Sequence, residues 1–349
     1  MAEIKNLDRL NDWICPAPFN DLMILHNEMS VCCPEWTMEH PPIRMHTNLE
    51  RQSLRRHWYG EYLTNLRKTV SDGSYSMCKK ETCPRIQHIL NMSDEEWVNW
   101  KNGPEALYRH ELHVRSSPRL VYLNFDEACN LKCPTCRLGL ITNQNNINKS
   151  AVPVLLETFE REFAKEVEII NLDGAGDVFY SKTFREWLQN FDPLKYPQLK
   201  KLALITNGQL FNEKMWNSMP TAQPYMKDLF VSIDAASKET YEQIRLGGDW
   251  DILMDNVEFW TTLPLDHIGF NFVAQKKNQH EIYDFFIYFY EKFMMSTFRG
   301  QLHFEMTLVE NWGHLDLDSY EALLPDEDVV KAQMAKLKPY TRWVHSNLW

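Results

Sequence analysis

The residues best equipped for chemistry in this chain are its eight cysteines, at positions 15, 32, 33, 78, 83, 129, 133 and 136. None follows Cys136, so the thiols crowd into the first part of 349 residues. Disulfides that secure a fold are usually spread over it, whereas clustered cysteines in a cytosolic chain more often bind metal. Three of them stand at C-x3-C-x2-C spacing in Cys129-Asn130-Leu131-Lys132-Cys133-Pro134-Thr135-Cys136. Close thiolates suit a soft metal. A structural zinc wants a fourth local Cys or His, and the nearest His is distant in sequence. The triplet therefore points to an iron–sulfur cluster with one iron left open for a cofactor or substrate. Zinc, or three unconnected core thiols, is the plainer alternative.

The elements that must position these thiols follow from the apolar pattern. Short apolar runs at 120–125, 167–172, 201–205, 229–233, 268–273 and 302–308 alternate with helical patterns at 152–165, 182–189, 239–245, 252–260 and 281–294. Strand-then-helix repetition with buried-looking strands predicts a parallel sheet and an α/β class. Six such strands suit an open or partly closed barrel, a partial (β/α)6 arrangement, with its site at the carboxyl ends of the strands. The triplet follows the first strand. After the second stands Asp173-Gly174-Ala175-Gly176-Asp177, and the third ends in Thr206-Asn207-Gly208. The fourth carries Ser232 and Asp234, with Arg245 downstream. Small residues let a ligand approach the backbone, a carboxylate accepts from an ammonium, and a guanidinium is shaped for a carboxylate. Ser232 and Asp234, two apart on a strand, are expected to face the same side. The plain readings are glycine turns for the two loops and a solvated helix face for Arg245.

Residues 1–115 have another texture, with five cysteines, many Trp and His, and few strand patterns. A short strand is expected at 22–26. One helix is expected over 54–70, where Leu54, Trp58, Tyr62, Leu63 and Leu66 recur near period 3.6, and another at 94–100. Ser116-Ser117-Pro118 marks a boundary. The expected division is 1–115, 116–315 and a helical C-terminal extension, 316–349, with a helix at 326–337.

Composition sets outer limits. The chain is 44% hydrophobic, ample for a core. Its 37 Lys and Arg against 48 Asp and Glu leave a net charge of −11, which argues against nonspecific nucleic-acid binding. No 18-residue apolar run is present, so no transmembrane helix is expected. The first residues lack the apolar core of a signal peptide. A cytoplasmic location, with neither nucleic acid nor membrane as partner, is the expectation.

A strand, then Cys129-x3-Cys133-x2-Cys136, then a helix resembles the radical S-adenosylmethionine (radical SAM) superfamily. The resemblance implies that the three cysteines hold a [4Fe–4S] cluster whose fourth iron is chelated by the methionine moiety of SAM. An electron from the cluster then cleaves a carbon–sulfur bond, and the 5′-deoxyadenosyl radical abstracts a hydrogen atom from the substrate. Gly174, Ala175, Gly176 and Asp177 are similar to the family's Gly-Gly-Glu motif, which receives the amino group of the methionine moiety. Thr206-Asn207-Gly208 is similar to another family motif. Ser232, Asp234 and the Tyr241-x3-Arg245 pattern match further ones, implying ribose contacts and, for Arg245, the methionine carboxylate. The fifth strand leads into Val273-Ala274-Gln275-Lys276-Lys277-Asn278, also family-like. Thr135 stands where many members have an aromatic residue, and Asp177 where the family has Glu.

The earlier cysteines resemble the SPASM or shorter twitch domains of the same superfamily. Cys15 is followed by Asn27 at a turn, Cys32, a Trp- and Arg-bearing stretch with Trp58 and Arg67, and a closing pair, Cys78 and Cys83. By this resemblance Cys15, Cys32, Cys78 and Cys83 hold a second [4Fe–4S] cluster, although Cys32 and Cys33 could trade roles, and a four-cysteine zinc site stays open. Such domains normally follow the barrel, whereas this one precedes it. Cys33 is the one thiol left over, a candidate hydrogen-atom donor to a substrate radical. The implied protein is a redox-active radical SAM enzyme supplied with electrons by a donor such as flavodoxin or ferredoxin. Its expected substrate is a peptide residue, oxidised or cross-linked with help from the auxiliary cluster. The alternatives are dehydrogenation or rearrangement of a small carbohydrate-like metabolite and, in another class, a non-catalytic iron–sulfur electron carrier.

Overall fold

The computed structural model describes residues 5–25, 28–31, 43–44, 53–103, 117–172, 175–311 and 314–346. The class is mixed α/β with parallel strands, as the alternating pattern requires. The chain packs as two compact units.

One unit takes residues 1–125, 150–170 and 194–199. Here β1 (Asp21–Leu25) runs antiparallel to β2 (Glu28–Ser30), which pairs with β3 (Ile43–Arg44). On its other side β1 runs parallel to β4 (Leu120–Asn124), with Leu22 opposite Val121 and Ile24 opposite Leu123. All four side chains are buried, because residues at matching register share one face of a pleated sheet. The pairing ties residues of the 1–115 segment to the first of the six expected strands. The single helix expected over 54–70 is two helices, Leu54–Trp58 and Glu61–Ser71, parted at Tyr59-Gly60. Glycine is a poor interior helix residue, and the Gly60 carbonyl begins the second helix by accepting from Thr64 N. Arg67 of that second helix lies over the Trp58 ring at 4.4 Å. It donates to the Pro18 and Trp58 carbonyls, each at 2.7 Å. Helix Pro84–Asn91 starts with proline in its first turn, where no N–H is missed. It buries Ile86, Ile89 and Leu90 among Leu10, Trp13, Phe19, Val70 and Tyr75.

The other unit takes residues 126–149, 171–193 and 200–349, and β5 (Ile169–Leu172) is divided between the two. Its strands β6 (Lys201–Thr206), β7 (Met226–Ser232), β8 (His267–Ala274), β9 (Gln301–Leu308) and β10 (Val344–Ser346) lie side by side in that order, every pair parallel. One face packs on helix Ile282–Met294, where Phe270, Phe272 and Phe304 meet Phe289, Phe285 and Phe286. Residues of the opposite parity therefore share the other face. At one level these are Ser232, Asn271, Glu305 and His345 on four successive strands. The helix expected at 326–337 is present as Glu327–Leu337. The tail also supplies β10, a three-residue strand too short to leave a periodic signature. No helix among the described residues is long and apolar enough to cross a membrane.

Candidate metal and cofactor site

The loop that leaves β4 contains no helix until Ala151. Side-chain hydrogen bonds hold its shape instead. Buried Asp126 accepts from Ala128 N at 3.0 Å and Asn146 Nδ2 at 2.7 Å through one oxygen, and from Ser181 Oγ at 2.5 Å through the other. So fixed, the loop presents Cys129, Cys133 and Cys136 to one cavity of about 140 Å³. Leu131, Arg137, Ala175, Gly176, Ile205, Thr206, Asn207, Ser232 and Arg245 complete its wall. Cys129 and Cys133 are buried and Cys136 is exposed, and all three are free thiols. Burial pushes the Cys129 thiol up to about 11 and raises that of Cys133.

The motifs after the next strands converge on this loop. Gly176 is required by close approach, since a Cβ there would lie 2.2 Å from the Ala128 carbonyl oxygen. Asp177, 2% exposed, does not line the cavity. One of its oxygens accepts from Phe179 N and Tyr180 N, and the other from Thr206 Oγ1 at 2.7 Å and Asn207 N at 2.9 Å. The shorter acid thus laces the glycine turn to the end of β6. Asn207 then reaches Asn130 Oδ1 at 2.8 Å and Cys129 Sγ at 3.5 Å. Gly208 follows with φ +81°, a conformation open to glycine.

Ser232 closes β7 and lines the cavity, whereas Asp234 lies beyond the strand with φ +65°. The period-2 rule stops where the strand stops, so it does not reach Asp234. The Asp234 carboxylate accepts from Val273 N at 2.9 Å and pairs with Arg245 Nη2 at 2.6 Å. Arg245 also points Nη1 at Cys133 Sγ, 3.8 Å away, and its buried Nε has no partner among the described residues. Burial alone lowers the Arg245 guanidinium, but Asp234 and Cys133 outweigh it and hold Arg245 above its ordinary value. Gly174 lies outside the described residues.

Two features escaped the sequence. Arg137, next to Cys136, donates to the Glu127 and Ala175 carbonyls at 2.8 and 2.7 Å and to Cys136 Sγ at 3.4 Å. The only hint was a basic residue beside the last cysteine. The second is the polar row beginning at Ser232, where Glu305 Oε2 lies 3.2 Å from His303 Nε2 and the His303 and His345 rings stack at 4.5 Å. It becomes visible only with strand register.

The second group of thiols is Cys15, Cys78 and Cys83, which share a cavity of about 30 Å³ with Ala17, Pro18, Leu66, Val70, Tyr75, Arg85 and Ile86. Tyr75, at φ +47°, stacks on Trp13 and ties the segment down. Its hydroxyl donates to Trp13 O at 2.6 Å and accepts from Cys15 N at 3.1 Å. Arg85 pairs with Asp21 at 3.0 Å. Burial pushes Cys15 up to about 11 and Cys78 up to about 12. Cys32, Cys33 and Asn27 lie outside the described residues.

The donor set of the first cavity fits an iron–sulfur cluster. The three thiols surround a space, and an N–H group meets each sulfur.

No protein-family model and no curated protein matches this sequence. Similar solved structures include SuiB of Streptococcus suis bound to its precursor peptide SuiA, with a TM-score of 0.46 and 14% identity over 82% of this chain and 62% of that one. HydG, the FeFe-hydrogenase maturase of Carboxydothermus hydrogenoformans, gives 0.45 and 13% over 65% and 52%. Native anSMEcpe with bound AdoMet gives 0.42 and 16% over 65% and 63%. The chain spans less than two thirds of the length of each of these three.

Proposed function

We propose that this chain is a radical SAM enzyme whose working cluster is held by Cys129, Cys133 and Cys136. The observation that carries the reading is the single cavity on which the thiol triplet, the glycine turn, the Thr-Asn-Gly end of β6, Ser232 and Arg245 converge. Separate motifs in one order along the chain would not need to meet if each were an ordinary turn. When bound, the cluster and SAM supply one-electron chemistry and a hydrogen-abstracting radical. The chain's own residues do the holding. Asp126 fixes the loop, and Asp177 ties the glycine turn to β6. Gly176 lets the turn lie against the loop. Arg245 offers its Nε–H, which has no partner among the described residues, a donor suited to the carboxylate of an amino acid moiety. Ser232 lies within reach of a sugar hydroxyl at the cavity wall.

On this reading the second group of thiols, completed by Cys32 or Cys33, holds an auxiliary [4Fe–4S] cluster in the 1–115 segment. The substrate is a peptide residue, oxidised or cross-linked. The polar row continuing from Ser232 supports a substrate rich in hydrogen-bonding groups, because Asn271 and Glu305 offer both donors and acceptors. An electron donor of the flavodoxin or ferredoxin type completes the system. The test is anaerobic incubation of reconstituted protein with SAM and dithionite. The reading expects 5′-deoxyadenosine and methionine. Intact clusters with neither product would leave an electron carrier as the better account.

A further inference from the structure

Each sulfur of the triplet is met by a side-chain N–H donor, and these three donors come from different stretches of chain; Cys129 Sγ also accepts from Leu131 N at 3.4 Å. Asn207 Nδ2 lies 3.5 Å from Cys129 Sγ, Arg245 Nη1 3.8 Å from Cys133 Sγ, and Arg137 Nη2 3.4 Å from Cys136 Sγ. Asn207 and Arg245 belong to the motifs that line the cofactor cavity. Arg137 belongs to none of them. It is only 8% exposed, and no carboxylate among the described residues pairs with it. Its other hydrogen bonds go to two backbone carbonyls, of Glu127 and Ala175. A guanidinium this deep is costly without a counter-charge. Among the described residues, the candidates on its side of the cavity are the thiolates and whatever group they hold.

Cys136 is also the exposed thiol of the three, the one that protein shields least from water. Hydrogen bonds to the sulfurs, net charge and solvent exposure together set the potential of an iron–sulfur centre. A cation donating to one ligand sulfur stabilises the more negative, reduced state more than the oxidised one. From this geometry we infer that Arg137 sets the reduction potential of the cluster at the triplet, holding it less negative than the three thiolates alone would. Arg137 is a positioning and tuning residue, and its role rests on the cluster reading given above.

The experiment uses the full-length chain, reconstituted anaerobically, with Arg137→Gln and Arg137→Lys beside the wild type. The Cys15, Cys78 and Cys83 positions carry Ala in all three proteins, so that one cluster is observed. Potentiometric titration followed by electron paramagnetic resonance, without SAM, reads the midpoint directly. Arg137→Gln should keep its iron and shift to a more negative midpoint. Arg137→Lys, which keeps the charge and loses the fork, should fall between Gln and wild type. A Gln midpoint equal to wild type overturns the inference. So does a folded Lys variant that holds no cluster, because Arg137 would then be a brace for the loop. A parent protein that assembles no cluster overturns the underlying reading as well, and that result is distinct from an unshifted midpoint.

Discussion

Cys129, Cys133 and Cys136 in one unit, and Cys15, Cys78 and Cys83 in the other, each surround a cavity, of about 140 Å³ and about 30 Å³ respectively. The larger is walled by two guanidiniums, an amide, two hydroxyls and a glycine turn as well as by apolar side chains. The smaller is walled by Ala17, Pro18, Leu66, Val70, Ile86 and the Tyr75 ring, with Arg85 as its one charged residue among those described. Thiols alone are enough to hold a metal centre. Space beyond them, and polar groups that need partners, are required only where a second ligand must enter. On the proposed function, the contrast suits the first group to cofactor chemistry and the second to passing electrons or to structure.

The largest expected effect comes from removing the first group. Replacing Cys129, Cys133 and Cys136 together with Ala should lower bound iron from about eight to about four per chain, four for each cluster, and abolish SAM cleavage. Iron analysis with chromatography for 5′-deoxyadenosine checks both, and continued cleavage would break the assignment of the two cavities. Arg245→Ala should come next, weakening SAM binding by roughly ten- to a hundredfold, the usual worth of a charged hydrogen bond. Asp234, buried and then without its guanidinium, can take a proton, so circular dichroism should report a native fold. Calorimetric titration showing unchanged affinity would place Arg245 outside the cofactor wall.

A smaller effect is expected from Gly176→Ala. The added Cβ would meet the Ala128 carbonyl oxygen at 2.2 Å, and overpacking of this kind typically costs about 1–3 kcal/mol. Thermal melting should show the loss together with poorer iron retention at the triplet and unchanged retention at the other group. Equal loss at both would blur the comparison. The smallest effect concerns Cys33→Ala. Under an oxidising reaction the substrate radical needs no hydrogen atom returned, so product formation should persist. An aberrant, unquenched product, seen by mass spectrometry, would favour epimerisation.

The strands β6 to β9 were legible because each is a short apolar run ended by polar or small residues and alternating with a helical pattern, which suits buried parallel strands. The triplet was legible for a related reason, since thiol spacing on a loop is itself the chemistry. The break between helices Leu54–Trp58 and Glu61–Ser71 was not, because the apolar period continues across Gly60 while the backbone does not. The resemblance to family motifs implies ligand contacts for Asp177 and Asp234. What no sequence window shows is that their carboxylates also accept from donors on distant stretches, Thr206 and Asn207 for one and Val273 and Arg245 for the other. Arg137 and the row from Ser232 to His345 depend on which strands are neighbours, information that no window of sequence contains.

On the proposed function, the larger cavity works on SAM without help from the smaller. The most direct measurement takes the chain with Cys15, Cys78 and Cys83 replaced by Ala, reconstitutes it anaerobically, and adds SAM and dithionite. About four iron atoms per chain and formation of 5′-deoxyadenosine are the expected result. An intact remaining cluster with no 5′-deoxyadenosine would contradict it.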